Sequence, residues 1–344
     1  MRFITVVAQY AVGPLLICFH LCAFTQTGIP LTNLTGKYDL EGGAGSIQFT
    51  VKNNELLLIT AGNPVQKMER TGPNSYRSAV MKQDIFTFSH GNADTIELTV
   101  NGFQGNIKGR KVSGEAQDYS SAMDTLLTKR KSSRHFEFWY SERDARFIDS
   151  LASHLEKRYE SVLQDFKLNS LPMIKVKIYP DLKSFHLSIN HPDAPGQVLA
   201  TAFGKDEFRM VSPAQGGDEL MQFISHEFVH CVHLNIDYSP NNPRWLWEGV
   251  AMYESGWFMD PRQIDAIKNR QFPSLQTMGN GLEYMLGYVI IEAIEELWGF
   301  DAVLGLVKNR GDVAKVLNLE NDEFEKKVFE HIYSKYISSS EIHD

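Results

Sequence analysis

The sequence predicts an α+β protein in two parts, a small antiparallel, barrel-like β domain followed by a small sheet packed with a helical bundle. Three observations carry this reading. Between Leu34 and Gly114 apolar residues alternate with polar ones, as in Ile47/Phe49/Val51, Phe86/Phe88 and Ile96/Leu98/Val100, the period-2 pattern of half-buried strands. From Ser141 onward the spacing turns helical, with Ala145, Ile148, Leu151, Leu155, Tyr159 and Leu163 on one stripe. The length, 344 residues, is more than one core ordinarily serves. The expected organisation is a leader over 1–25, a β domain over 26–114, a linker over 115–134 and a second domain over 135–344.

The leader "MRFITVVAQYAVGPLLICFHLCAFTQ" has one basic residue, Arg2, then an apolar run to Phe24. Ala23 and Thr25 are small residues at the −3 and −1 positions before Gln26, which fits a secretory signal peptide and predicts export. The alternative is an uncleaved anchor, but Gln9, Pro14 and His20 weaken a spanning helix. With the leader removed, no stable membrane insertion is expected. Two of the three cysteines, Cys18 and Cys22, lie in this segment, so the remaining chain keeps Cys231 and forms no internal disulfide. The net charge of −8 comes with no basic stripe, which argues against a nucleic-acid partner.

Within the β domain, Asn53-Asn54, His90-Gly91-Asn92 and Asn101-Gly102 are expected turns, the last a strong hairpin signal. Residues 115–134 are polar and carry Lys129-Arg130-Lys131, read as a solvated patch on a linker. "MIKVKIYP" reads as a strand stopped by Pro180, and 198–213 as two short strands around Gly204-Lys205-Asp206. Helices dominate from Asp218, a candidate N-cap, and "LEYMLGYVIIEAIEELWG" reads as one amphipathic helix closed by Gly299.

The chemistry concentrates in "FISHEFVHCVHLN". Leu220, Ile224, Phe228 and Cys231 mark a buried helical stripe, and on the same helix His226 and His230 lie four residues apart. Residues so spaced sit one above the other, close enough for both imidazoles to reach one ion, the geometry of the H-E-x-x-H zinc motif. Glu227 lies about 100° round the helix, where it flanks a metal rather than ligating it and can serve as general base. Chance alone yields this five-residue pattern in roughly one chain in a hundred of this length. A third ligand therefore decides, since a catalytic zinc ordinarily has three protein ligands and an open position.

One scheme places a histidine six residues after His230, but Ile236 stands there. His233 is about 10 Å along the helix from His226, too far to share its ion. The other scheme takes a glutamate from a following helix, and "PRWLWEGVAMYES" supplies Glu248, 248 − 230 = 18 residues after His230. In these residues, "HEFVH…WLWEGVAMYE", the chain closely resembles the H-E-x-x-H…E-G-x-A-x-Y signature of gluzincin metallopeptidases of the M1-like and peptidase MA-like groups. The resemblance spans roughly residues 135–335. It implies a zincin-like domain, one Zn²⁺ held by His226, His230 and Glu248, and Glu227 as general base. Related peptidases begin a later helix with a tyrosine that steadies the oxyanion, which assigns that role to Tyr284, with Tyr288 one turn on as the alternative and Tyr253 as a packing residue.

The resemblance implies a secreted metallopeptidase, a hydrolase acting on peptide or protein substrates. M1-type aminopeptidases hold the substrate's free amine with a G-x-M-E-N segment ahead of the metal helix. "GQVLATAFG" has no glutamate, so an endopeptidase is favoured over an aminopeptidase. An inactive peptide-binding protein on the same scaffold and a zinc enzyme for another carbonyl substrate are the remaining alternatives. The strand around Leu199–Phe203 is the expected platform for an extended peptide. The β domain carries no catalytic constellation and reads as a spacer or binding module, and the oligomeric state is not legible.

Overall fold

The computed structural model describes residues 28–338, apart from 44, 79, 81, 93–94, 103–104, 216–219, 239 and 242. The predicted leader and the candidate N-cap Asp218 lie outside the described residues. After a single helical turn, α1 (Leu31–Leu34), eight antiparallel strands close into a barrel: β1 (Gly36–Leu40), β2 (Ser46–Lys52), β3 (Glu55–Thr60), β4 (Gln66–Arg70), β5 (Ser75–Ser78), β6 (Ile85–His90), β7 (Ile96–Gly102) and β8 (Gly105–Ser113). Pairing of β1 with β8 removes both sheet edges, the step beyond an open meander.

The alternation seen in the sequence becomes the barrel interior. Phe49 packs edge-to-face on Phe88 at 5.0 Å and on Tyr38 at 5.6 Å, the offset that ring quadrupoles favour. The buried Tyr38 hydroxyl donates to the carbonyl of Leu34 at 2.9 Å, so the polar tip of this ring is satisfied. Asn53 and Asn54 have φ of 52° and 61° and make the β2–β3 hairpin as expected. Asn101-Gly102 do not form the turn: both belong to β7, and Gly102 pairs with Gly105 as the last rung before it. The hairpin closes one step further along, because a ladder extends for as long as its register is satisfied.

Residues 115–134 are more than a linker. They form α2 (Ser120–Met123), a 3-10 turn and β9 (Lys129–Ser132), which pairs antiparallel with β10 (Phe136–Tyr140). What draws the segment in is charge. Asp124 accepts from Lys177 Nζ at 2.8 Å and from the Tyr179 hydroxyl at 2.6 Å, giving the buried lysine a counter-ion that its own sheet supplies only in part through Glu207. The four exposed residues of β9 are the solvated patch expected from the basic run, here protecting a sheet edge.

The second unit has a five-stranded sheet in the order β12-β13-β11-β10-β9, with β11 (Ile174–Tyr179), β12 (Ala200–Ala202) and β13 (Glu207–Val211). β10, β11 and β13 run parallel, while β12 pairs antiparallel with β13 and leaves its outer edge open. α3 (Ala145–Asp165) packs on the sheet through the predicted stripe from Ile148 to Leu163, with Ala145 itself exposed. α4 (Leu182–Ser188) starts at a capping box between Asp181 and Ser184. The helical part follows as α5 (Leu220–Ile236), α6 (Arg244–Ser255), α7 (Asp265–Lys268), α8 (Leu282–Met285), α9 (Gly287–Trp298), α10 (Phe300–Lys308), α11 (Val313–Leu317) and α12 (Asn321–Tyr333). No helix among the described residues is long and apolar enough to cross a membrane.

The helix expected over 282–299 is broken at Leu286 into α8 and α9. The break coincides with a close crossing of α6 and α9. A Cβ placed on Gly287 would lie 2.8 Å from Gly249 Cα, and one on Gly249 would lie 3.2 Å from the Gly287 carbonyl oxygen. Two glycines thus let the backbones touch, and Glu248 sits directly beside that contact.

Candidate metal centre

α5 is an unusual helix for a globular protein: every residue from Ile224 to Leu234 is buried, not only one stripe. Its apolar faces meet α3 and β13, while His226, Glu227 and His230 look into a cleft of about 450 Å³. The cleft is completed by Glu248, Trp247 and Arg244 of α6, by Tyr284 of α8, and by the edge strand β12.

The two imidazoles, 4.5 Å apart between ring centres, direct Nε2 toward one oxygen of Glu248, at 3.2 Å from His226 and 3.4 Å from His230. One ligand atom from each of the three residues lies within 4.8 Å of the others. A tetrahedral zinc with bonds of about 2.0–2.2 Å sets its ligand atoms about 3.4 Å apart. Both contacts to Glu248 are close to that edge, so the donor set fits a metal ion. The three predicted ligands, drawn from two helices, are therefore brought together, and His233 is not: it is buried one turn further on, against Trp247 at 4.8 Å.

Electrostatics of the cluster follow from burial opposed by proximity. Burial alone would raise the Glu248 pKa, but hydrogen bonds and charge from both imidazoles hold it well below the usual carboxylate range. Burial, with the His226 charge, pushes His230 down to about 4, whereas at His226 the Glu248 hydrogen bond and the two carboxylates outweigh burial and raise it. Glu227 is carried up to about 7 by burial and by the Glu248 charge, against His226 and the backbone N–H of Ala202. A carboxylate so placed exchanges a proton near neutrality, as a general base must.

The surrounding groups hold these side chains in place. The Trp247 indole lies flat on the His230 ring at 4.2 Å with 5° between planes, which fixes the ring's orientation although its Nδ1 has no hydrogen-bond partner among the described residues. The Tyr284 hydroxyl donates to the second oxygen of Glu248 at 2.9 Å, leaving the first for the imidazoles. Tyr284 thus reaches the site. Tyr288 does not, packing instead on Tyr253 and Phe258 at 5.0 and 5.3 Å. The Tyr253 hydroxyl is bound to Glu295. Sequence reading missed Trp247, Arg244 and Glu283. The last is buried and accepts from Arg244 Nε at 2.7 Å, anchoring the first residue of α6 to α8. The one available signal was Trp247's place beside Glu248. Compared with known protein families and with curated proteins, the chain matches none.

Proposed function

We propose that this chain is an exported zinc-dependent endopeptidase with a gluzincin-type, zincin-like second domain. The observation that carries the reading is the convergence of His226, His230 and Glu248 on one point, with Glu227 beside it at the floor of a cleft. Two nitrogens and one carboxylate oxygen in this arrangement suit zinc, with the fourth position open. When bound, zinc would supply Lewis acidity, polarising a substrate carbonyl and acidifying a water. Glu227 takes the proton of the attacking water and returns it to the departing amine. Tyr284 holds Glu248 in place with its single hydroxyl proton; the oxyanion role that the resemblance gives it requires that hydroxyl to turn from Glu248 to the substrate. The open edge of β12 holds the peptide by backbone hydrogen bonds.

Metal analysis joined to a screen of diverse peptides tests this. One zinc per chain is expected in the native protein and in Glu227→Gln, with hydrolysis in the latter reduced by about 10²–10⁴. Glu248→Ala is expected to lose the ion while the barrel stays folded by circular dichroism. Undiminished zinc in that variant would remove the gluzincin assignment. Equal cleavage of a peptide with and without an N-acetyl group is the result an endopeptidase gives; an aminopeptidase leaves the blocked peptide intact.

A further inference from the structure

The barrel does more than precede the cleft. Ala61, Gly62 and Asn63, the turn between β3 and β4, line the same cavity as His226, Glu227 and Glu248. The turn is anchored. Gly62 N–H donates to the carbonyl of Ile189, just past α4, at 2.9 Å, and Asn63 Nδ2 donates to the Ala61 carbonyl at 3.1 Å. Pro64 packs on the β12–β13 hairpin so closely that a Cβ on Gly204 would come within 3.2 Å of its ring, and Gly62 faces Thr201 Oγ1. A second tie, Gln117 N–H to Gln48 Oε1 at 2.9 Å, joins the barrel to the connecting segment.

The pairing of β12 shows what this turn stands against. Val211 N–H donates to Leu199 and Phe203 N–H to Glu207, so Leu199, Thr201 and Phe203 spend their backbone groups on β13. In an antiparallel ladder the alternate residues point the other way. The N–H and C=O groups of Ala200 and the C=O of Ala202 are therefore the ones turned to the open edge, the Ala202 N–H being taken by Glu227, and the barrel turn lies beside Thr201. The stretch Ala61-Gly62-Asn63-Pro64-Val65 carries no charge, so it selects by shape. A cavity of about 450 Å³ falls in the range of sites that enclose small ligands, about 300–1,000 Å³.

Resting on the peptidase reading, we infer that the β3–β4 turn of the barrel is the specificity wall of the cleft, confining the substrate to one extended polypeptide strand on β12 and turning away folded proteins. The substrate class is then short peptides and unfolded chains, and the barrel is a substrate-selecting part of the enzyme.

The test uses the full chain carrying Glu227→Gln, which separates binding from turnover. Asn63→Trp narrows the cleft and is expected to weaken binding of a fluorescent decapeptide about tenfold, the loss of one well-made contact region, with zinc content unchanged. Val112→Trp, on the exposed outer face of β8 away from the cleft, is the control and should leave affinity unaltered. As an approach that needs no bulky substitution, Ala61→Cys labelled with an environment-sensitive dye should report peptide binding by a saturable change in emission. The buried Cys231 is shielded from the reagent. Peptide that binds as tightly to Asn63→Trp as to its parent, or leaves the dye unmoved, overturns this inference alone. Absence of peptide binding to the parent chain overturns the peptidase reading and this inference with it.

Discussion

The barrel and the α5–α6 pair bury side chains for different reasons. The barrel interior holds aromatic and aliphatic groups with an uncharged polar pair, Ser78 donating to Gln66, and the hydroxyl of Tyr38 is satisfied by a neighbouring carbonyl. Around α5 and α6 the interior also takes in His226, Glu227, His230, His233, Glu248, Glu254 and Glu283. Burying ionisable groups opposes folding unless each finds a partner. The contrast teaches that one region is built for stability, whereas the other gives up stability to hold ionisable groups around a cleft.

The largest expected effect comes from cutting into the barrel plug. Phe49→Ala should destabilise the protein by about 3–5 kcal/mol, the usual range for a buried phenylalanine, while zinc affinity below the unfolding transition stays as it was. Loss of zinc in the folded variant would show that the two regions are one energetic unit and break the comparison. Next in size is Gly287→Ala. Its methyl would meet the Gly249 backbone at 2.8 Å, so α6 must shift. A cost of about 1–3 kcal/mol is expected from overpacking, together with weaker zinc binding as Glu248 moves. Chemical denaturation and zinc titration would check both, and destabilisation with unchanged zinc affinity would detach the glycine contact from the site.

A third effect is a slope of stability against pH. Burial, with the Asp165 and Glu295 charges, pushes Glu254 from 4.5 up to about 8. The folded chain therefore keeps a proton that the unfolded chain releases, and stability falls as pH rises from about 4.5 to about 8. Glu254→Gln should flatten this part of the stability–pH curve, most visibly at its alkaline end. An unchanged slope would exclude Glu254 as its source.

Much of this was legible in the sequence because it is periodic or local. The alternation through Ile47, Phe49 and Val51 needs only neighbouring residues to declare a strand face, and His226 and His230 share a helix face by spacing alone, with Glu227 on its flank. Glu248 was legible through its motif, "WEGVA", which sets the third member of the cluster beside the glycine that lets α6 reach α9. Less legible were features that depend on partners far along the chain. The polar run over 115–134 looks like a linker until Lys177, 53 residues beyond Asp124, is found to require that carboxylate. Tyr284 and Tyr288 lie one turn apart, the first favoured in the sequence only by its place at the helix start, and the structure sends it to Glu248 and Tyr288 to Tyr253.

By itself, then, the sequence determined the two parts, their strand and helix periods, and the identity of the groups poised for a metal. Hydrophobic spacing and side-chain chemistry act within a few residues and need no tertiary context. Closure of the barrel, the touching backbones of Gly249 and Gly287, and the turn at Ala61–Asn63 facing Glu227 were decided only in three dimensions. Each depends on close packing between elements far apart in the chain, which no local pattern encodes.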